Sequence, residues 1–189
     1  KVEGQGETAL KKELQEELFK KYPKIFRQKD LPMTQTAMCW GIDAGDGWFW
    51  LIDNLCFEIQ SHVNSRISSE RTRRKYNNWK NIFRHYRYGW RNPRWYRGLF
   101  SRFKTYLDYR KPFDYTTLQV EAEQVKEKYG SLRFYASNCD DVVFGITNFA
   151  EYLSGKICEE CGTLENVTQN EDGWIRTLCD SCRLKREET

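Results

Sequence analysis

The sequence lacks the features that mark several large classes of protein. No apolar run approaches the roughly 18 residues of a membrane-spanning helix, and no apolar segment near the start resembles a secretory signal. The glycine-rich phosphate-binding fingerprints GxGxxG and GxxxxGK are missing as well. The two histidines, His62 and His85, stand apart from any Cys or Asp that would complete a catalytic triad. These absences disfavour a membrane protein, a nucleotide-binding enzyme with such a fingerprint and a triad hydrolase.

Charged and aromatic residues are abundant instead. They make up 31% and 15% of the 189 residues, respectively. Disordered chains are poor in aromatic residues, so this composition predicts a folded protein. The length suits one domain, or one domain with a small appended module.

Four of the seven cysteines form two CxxC pairs near the carboxyl terminus, separated by residues 162–178. Two residues between paired cysteines let both sulfurs reach one tetrahedral ion, and two such pairs are typical of zinc sites. Four thiolates leave no coordination position for water or substrate, which indicates a structural ion rather than a catalytic one. The sequence therefore predicts one structural Zn²⁺ ion, bound by Cys158, Cys161, Cys179 and Cys182.

The surroundings of these cysteines predict a treble-clef-like or zinc-ribbon-like module. Gly162 follows the first pair, where a metal knuckle needs a residue with left-handed backbone. Residues 173–178 have the pattern of a strand, and residues 183–188 favour a helix. The other cysteines are interpreted as free thiols in a reducing cytosol, which predicts a cytoplasmic protein. They are Cys39, Cys56 and Cys139.

Residues 66–111 are strongly basic and rich in aromatic residues. Fifteen Arg and Lys face two acidic residues, a net charge of +13 in a chain whose total is +4. The aromatic spacing predicts a helical hairpin, with Trp79 on the aromatic face of a first helix that ends at Gly89 and with Pro93 at the start of the second. The residues expected to contact a partner are Arg73, Arg74, Arg84, Arg87, Arg91, Arg94, Arg97 and Trp90.

The rest of the chain predicts an α+β fold. Apolar spacing favours helices over residues 7–22, 46–63 and 140–153, and alternation favours strands over residues 118–125 and 132–135. The expected N-cap residues are Asp46 and either Asp140 or Asp141. We expect a small antiparallel sheet packed with helices, a basic helical-hairpin insertion and a carboxy-terminal four-cysteine zinc module. The boundaries are 1–65 with 112–155 for the main α+β domain, 66–111 for the insertion and 156–189 for the zinc module.

Three further segments stand out: MCWGIDAGDGWFWLIDNL at 38–55, QVKEKYGSLRFY at 124–135 and GWIRTLC at 173–179. With the terminal cysteine pairs, they resemble a family of uncharacterised proteins encoded in bacteriophage and bacterial genomes. The resemblance covers most of the chain outside residues 66–111. It implies a phage or bacterial origin and a cytoplasmic setting, but it implies no activity.

Two binding functions are compatible with these features. One is a non-enzymatic, zinc-stabilised protein that engages nucleic acid or a nucleoprotein, because Arg and Lys neutralise phosphates and aromatic rings stack on bases. The other is a phage-encoded inhibitor of a host defence protein that acts by protein–protein contacts, because Trp, Tyr and Arg are enriched at interface hot spots.

A metal-dependent nuclease is a third hypothesis. Asp114 followed by Gln124 and Lys126 resembles the acid and E/Q-x-K pattern of such enzymes, in which carboxylates bind Mg²⁺. The other carboxylates considered as ligands are Asp46, Glu121 and Glu123. Alternating charges on an exposed strand account for the same residues, and short motifs often match by chance. We therefore assign no catalytic residue and expect a binding protein rather than an enzyme.

Overall fold

The computed structural model describes residues 9–89, 113–170 and 173–187. The chain divides into two compact units, the first formed by Lys1–Val63 and Gln119–Thr189 and the second by Asn64–Leu118. The first unit contains α-helices and a small sheet, in agreement with the predicted α+β class. The finer division into a main domain, an insertion and a zinc module stays a prediction.

The described residues contain four α-helices: α1 (Lys12–Lys21), α2 (Phe49–Gly89), α3 (Asp141–Ser154) and α4 (Asp180–Glu187). The predicted helix over 46–63 and the predicted first helix of the hairpin are wrong as separate elements, because α2 runs through both without a break. Residues 64–78 contain neither Gly nor Pro, so nothing in the backbone chemistry ends the helix there. The predicted second helix of the hairpin lies outside the described residues. No helix in the described ranges is long and apolar enough to cross a membrane.

A three-stranded sheet lies in the first unit, with strands β1 (Ile42–Asp43), β2 (Glu121–Lys128) and β3 (Ser131–Ser137) in that spatial order. β2 and β3 are antiparallel and are joined by Tyr129 and Gly130, whose φ angles of 54° and 69° suit a two-residue hairpin turn. β1 pairs with β2 in parallel. The sheet is therefore mixed, and the prediction of a purely antiparallel sheet is wrong. A strand of two residues is too short to show any alternation.

The first half of α2 provides much of the core of the first unit. Trp48, Ile52, Ile59 and Val63 are fully buried, which confirms the predicted apolar stripe of this helix. Each such side chain contributes about 1.5–3 kcal/mol when it is removed from water.

α3 packs against β3 through polar contacts. The Ser154 hydroxyl accepts from the Leu132 backbone N–H at 2.8 Å, and Arg133 Nη1 lies 2.6 Å from Glu151 Oε2. Asp140 caps the helix by accepting from the Val143 N–H at 3.0 Å, as predicted.

Asp46 does not cap α2, so that prediction is wrong. Its Oδ1 accepts from the backbone N–H of Lys11 at 2.9 Å, and its Oδ2 lies 2.7 Å from Lys11 Nζ. Lys11 directly precedes α1, so the carboxylate satisfies a free N–H at the start of that helix instead. α2 begins through the 3₁₀ turn Asp46–Trp48.

Candidate metal centre

The sulfur atoms of the two cysteine pairs converge in the first unit. The four Sγ atoms of Cys158, Cys161, Cys179 and Cys182 all lie within 4.8 Å of one another. Zn–S bonds of about 2.3 Å in a tetrahedron would separate the sulfurs by about 3.8 Å. The distance between the Sγ atoms of Cys161 and Cys179 is 3.6 Å. The quartet can therefore hold one metal ion with a complete shell of sulfur ligands.

A knuckle and a hairpin position these cysteines. In the knuckle, the Cys158 N–H donates to the Thr163 carbonyl and the Gly162 N–H donates to the Cys158 carbonyl, both at 2.9 Å. Gly162 has a φ of 76°, the left-handed backbone that its place after the first pair predicted. The hairpin strands β4 (Val167–Gln169) and β5 (Thr177–Cys179) are antiparallel. Cys179 ends β5.

α4 carries the fourth cysteine on its first turn. Cys158, Cys179 and Cys182 are buried, whereas Cys161 is exposed. The order is therefore a knuckle, a hairpin and a pair that opens a helix.

The protein environment favours a thiolate at one ligand position. The Ser181 hydroxyl, 3.1 Å from Cys179 Sγ, lowers the pKa of this thiol to about 6 by hydrogen bonding to its ionised form. Burial raises the pKa of Cys182 instead. Four adjacent thiolates would repel one another unless a cation neutralised their charge, so these four ligands suit a bound metal ion.

A glycine-rich loop of residues 41–47 packs directly on the knuckle. The Gly47 N–H donates to the Glu159 carbonyl at 2.7 Å. A Cβ at Gly47 would lie 2.2 Å from the Cys158 carbonyl oxygen, and one at Gly45 would lie 2.3 Å from the Glu159 carbonyl oxygen. Both positions therefore require glycine, because the two backbones approach too closely for any side chain.

Trp48 and Glu159 complete this contact. The Trp48 indole Nε1–H donates to the Ile157 carbonyl at 2.9 Å, and the Gly45 N–H donates to Glu159 Oε1 at 3.2 Å. Burial raises the pKa of the Glu159 carboxyl to about 7, and its Oε2 has no hydrogen-bond partner among the described residues. The knuckle therefore has a fixed position against the loop that precedes α2.

The β2–β3 turn also packs against the cysteine lobe, residues 156–170 and 173–187. The Gly130 carbonyl accepts from Gln169 Nε2 at 3.0 Å and from the Thr177 hydroxyl. Thr177 also accepts from the Glu159 N–H at 2.9 Å through its carbonyl. The segments 38–55, 124–135 and 173–179, which stood out in the sequence, thus all reach the cysteine lobe.

No local signal in the sequence indicated these contacts. The residues involved come from distant parts of the chain. When a distant segment of backbone makes glycine necessary, the neighbouring sequence carries no recognisable pattern. The repeated glycines at 41, 45 and 47, which fit no phosphate-binding motif, are the one feature that could have indicated a close backbone approach.

The predicted partner-binding residues are described only in part. Arg73 and Arg74 lie on α2 and are exposed. Arg84 and Arg87 also lie on α2, but their side chains are outside the described part. Arg91, Arg94, Arg97 and Trp90 lie outside the described residues.

Three of the four carboxylates considered for a nuclease have other partners. Glu121 forms an ion pair with Arg27 at 2.7 Å, and Asp46 pairs with Lys11. Asp114 lies in the second unit, where its Oδ1 accepts from the Thr116 hydroxyl at 2.6 Å. Within the described ranges, the cysteine quartet is the only group of three or more potential ligands close enough to share an ion.

One polar pair was missed from the sequence. His62 Nε2 lies 2.9 Å from Asp140 Oδ2, so His62 is not solitary. Asp140 thus joins the start of α3 to α2. Only the tertiary fold brings these residues together, which explains why the sequence did not reveal the pair.

No protein-family model, curated protein or solved structure matches this chain.

Proposed function

We propose that this protein is a non-enzymatic, zinc-stabilised binding protein that engages nucleic acid, alone or in a nucleoprotein, through its basic segment. The observation that carries the proposal is the exposure of cationic side chains along α2. Among residues 66–80, six Arg and Lys face one acidic residue. Of these cations, all but the half-buried Arg66 are exposed. Such a dense run of accessible cations is the electrostatic footprint of a phosphate-binding surface.

The single carboxylate neutralises little of this charge. Glu70 accepts from Arg73 Nε at 2.8 Å and from Arg74 Nε at 3.1 Å. Arg74 also stacks on the Phe113 ring, with 3.8 Å between its Cζ and the ring centroid, and Arg71 lies 5.1 Å from the Tyr115 centroid. A stacked guanidinium keeps its edge N–H donors for an outside acceptor, so these contacts are compatible with phosphate binding.

Exposed aromatic side chains accompany the cations. Tyr76 and Trp79 are 65% and 62% exposed. Aromatic rings next to Arg and Lys are the combination that binds single strands, because every base can stack on them.

The metal has a structural role in this proposal. Zinc is the ion that a closed set of four thiolates suits best, and the knuckle, hairpin and helix order supports a treble-clef-like module. The resemblance to phage and bacterial proteins supports a bacterial cytoplasm as the setting.

The test is binding of labelled single- and double-stranded DNA and RNA by the full chain across a salt series. Affinity should fall steeply between about 50 and 200 mM salt. Lys75→Glu with Lys80→Glu should weaken binding at least tenfold and reduce the salt slope by about two. The matched control is Lys12→Glu with Lys24→Glu, the same charge change at two exposed lysines of the first unit.

Equal loss in both double variants would mean that only net charge matters, and full affinity of the α2 variant would overturn the proposed surface. Absence of binding at low salt would overturn the nucleic-acid proposal and direct the search to a protein target.

A further inference from the structure

An apolar row runs along the solvent-exposed side of α3, next to the exposed polar residue Asn148. Val142, Phe149 and Tyr152 are 51%, 62% and 65% exposed, and Gly145 lies between them. Spacings of three, four and three residues place these four side by side on the helix. The opposite face buries Val143, Thr147, Ala150 and Ser154. A surface helix normally exposes a polar face, so this row, the α3 stripe, has the chemistry of a contact surface.

The α3 stripe is self-complementary. Its spacing is the same from either end, so two copies can align antiparallel about a two-fold axis level with Thr147. Val142 then faces Tyr152 of the second copy, and Gly145 faces Phe149 of the second copy. Each contact joins a small residue to a large one, as close packing requires.

Within the part of the chain that the structure describes, no close contact requires glycine at position 145. A Cβ built at this position meets nothing within 4 Å. Glycine is unfavourable inside an exposed helix, where alanine would stabilise the fold. In the antiparallel pair, the missing side chain provides the space for the Phe149 ring of the second copy.

The charges at the ends of α3 match the same arrangement. Asp141 opens the helix and Lys156 follows its carboxyl end, and both are exposed. Antiparallel alignment brings Asp141 of each copy close to Lys156 of the other, and it opposes the two helix dipoles favourably.

We propose that a second copy of this chain docks along the α3 stripe and forms an isologous two-fold dimer. The proposal does not rest on nucleic-acid binding. A dimer would present two basic segments, so it would also raise avidity for any extended polyanion.

Sedimentation equilibrium of the full chain over a concentration series tests the proposal. The wild type should dimerise, and Phe149→Asp should weaken the dimer about 100-fold or more, because it places a charge in the centre of an apolar contact. The matched control is Phe144→Asp on the same helix, since Phe144 is 63% exposed but lies off the stripe. Circular dichroism should show the same helix content in all three proteins.

A charge exchange provides a second, independent measurement. Asp141→Lys and Lys156→Asp should each weaken the homodimer about tenfold, because both end contacts become repulsive. An equimolar mixture of the two variants should dimerise again, because a mixed pair places opposite charges together at both ends of the paired helices.

A wild type that stays monomeric up to about 100 μM would overturn the proposal and leave the stripe to another protein. A Phe149→Asp variant that dimerises like the wild type, or an equal loss of dimer in the Phe144→Asp control, would overturn it as well. So would a mixture of the two charge variants that stays monomeric.

Discussion

Asp53 and Glu70 show how differently the two units use their carboxylates. Asp53, in the first unit, is 7% exposed and accepts from Lys21 Nζ at 2.7 Å and from the Tyr22 hydroxyl at 2.9 Å. These donors lie more than thirty residues away in sequence. Among the described residues, the ion-pair partners of Glu70, in the second unit, are arginines three and four positions further along the same helix.

The contacts of Asp53 depend on the tertiary fold, whereas the contacts of Glu70 depend on α2 alone. Contacts between distant residues exist only while the first unit is folded, so whatever destabilises that fold removes them together. Pairs at i, i+3 and i, i+4 persist in an isolated helix and each contributes only a few tenths of a kcal/mol. We therefore expect the first unit to respond strongly to the loss of a metal ion from its cysteine quartet and to changes in packing, and the second unit to respond mainly to salt and charge.

Metal removal should have the largest effect. A structural zinc contributes on the order of 10 kcal/mol in small modules, so chelation should greatly lower the thermal stability of the first unit. Hydrogen exchange should accelerate at residues 156–170, 173–187 and the loop 41–47, with little change over residues 66–80. Metal analysis should give one zinc per chain.

Cys161→Ser should lower the zinc content, whereas Cys139→Ser, a matched change at an exposed thiol outside the quartet, should leave it intact. Unaltered exchange and stability after complete zinc removal would contradict the structural role.

Gly47→Ala should have the second-largest effect on stability. The new methyl group would lie 2.2 Å from the Cys158 carbonyl oxygen and 2.4 Å from the Gly162 nitrogen, so the loop or the knuckle must shift. We expect a loss of about 2–4 kcal/mol in urea unfolding. The control is Gly155→Ala, because Gly155 has an ordinary φ of −70° and its new Cβ would lie 3.5 Å from the nearest neighbouring atom, so stability should change by less than about 1 kcal/mol. Equal effects of the two changes would refute the packing argument.

Alkaline pH should have a somewhat smaller effect. Burial, together with the hydrogen bond to Asp53, raises the pKa of Tyr22 from 10.0 to about 12. The folded state therefore holds this proton at a pH where the unfolded state has released it, and stability falls as pH rises from 10 to 12. The loss is about 2 kcal/mol for this group. Urea unfolding of wild type and Tyr22→Phe across this range should show a shallower pH dependence for the variant.

Glu70→Gln should have the smallest effect. It removes the carboxylate that pairs with Arg73 and Arg74 and so should raise nucleic-acid affinity about twofold to fivefold at low salt. Glu16→Gln, at an exposed position of α1, removes the same charge from the first unit and should change affinity less. Equal gains would show that the arginines of α2 are not specifically involved.

Features encoded by local spacing could be predicted from the sequence. The two CxxC pairs indicated the sulfur quartet, the spacing from Trp48 to Val63 indicated the buried face of α2, and Asp140 was one of two adjacent N-cap candidates. Each signal lies within one helix, one turn or one pair of ligands.

Features that depend on distant partners could not be predicted. The parallel pairing of β1 could not be predicted, because a strand of two residues has no recognisable pattern. Asp46 accepts from the N–H at the start of α1, although its position before α2 predicted a cap for α2. The close approach of Gly45 and Gly47 to the knuckle requires the fold itself. The length of α2 was missed for another reason: the change in composition at residue 66 was interpreted as a break between two helices, although no Gly or Pro interrupts the helix there.

The chain leaves the first unit and returns to it at two points that are tied together. Gln60 Nε2 donates to Gln119 Oε1 at 3.4 Å, and Gln119 Nε2 donates to Gln60 Oε1 at 3.2 Å. Residues 64–118 thus connect two points of the first unit that a pair of amides joins. The entropy cost of holding the two ends of a connection together rises only with the logarithm of its length, by about 0.6 kcal/mol for each doubling. The fold can therefore accept large changes of length and content between Val63 and Gln119 at little thermodynamic cost.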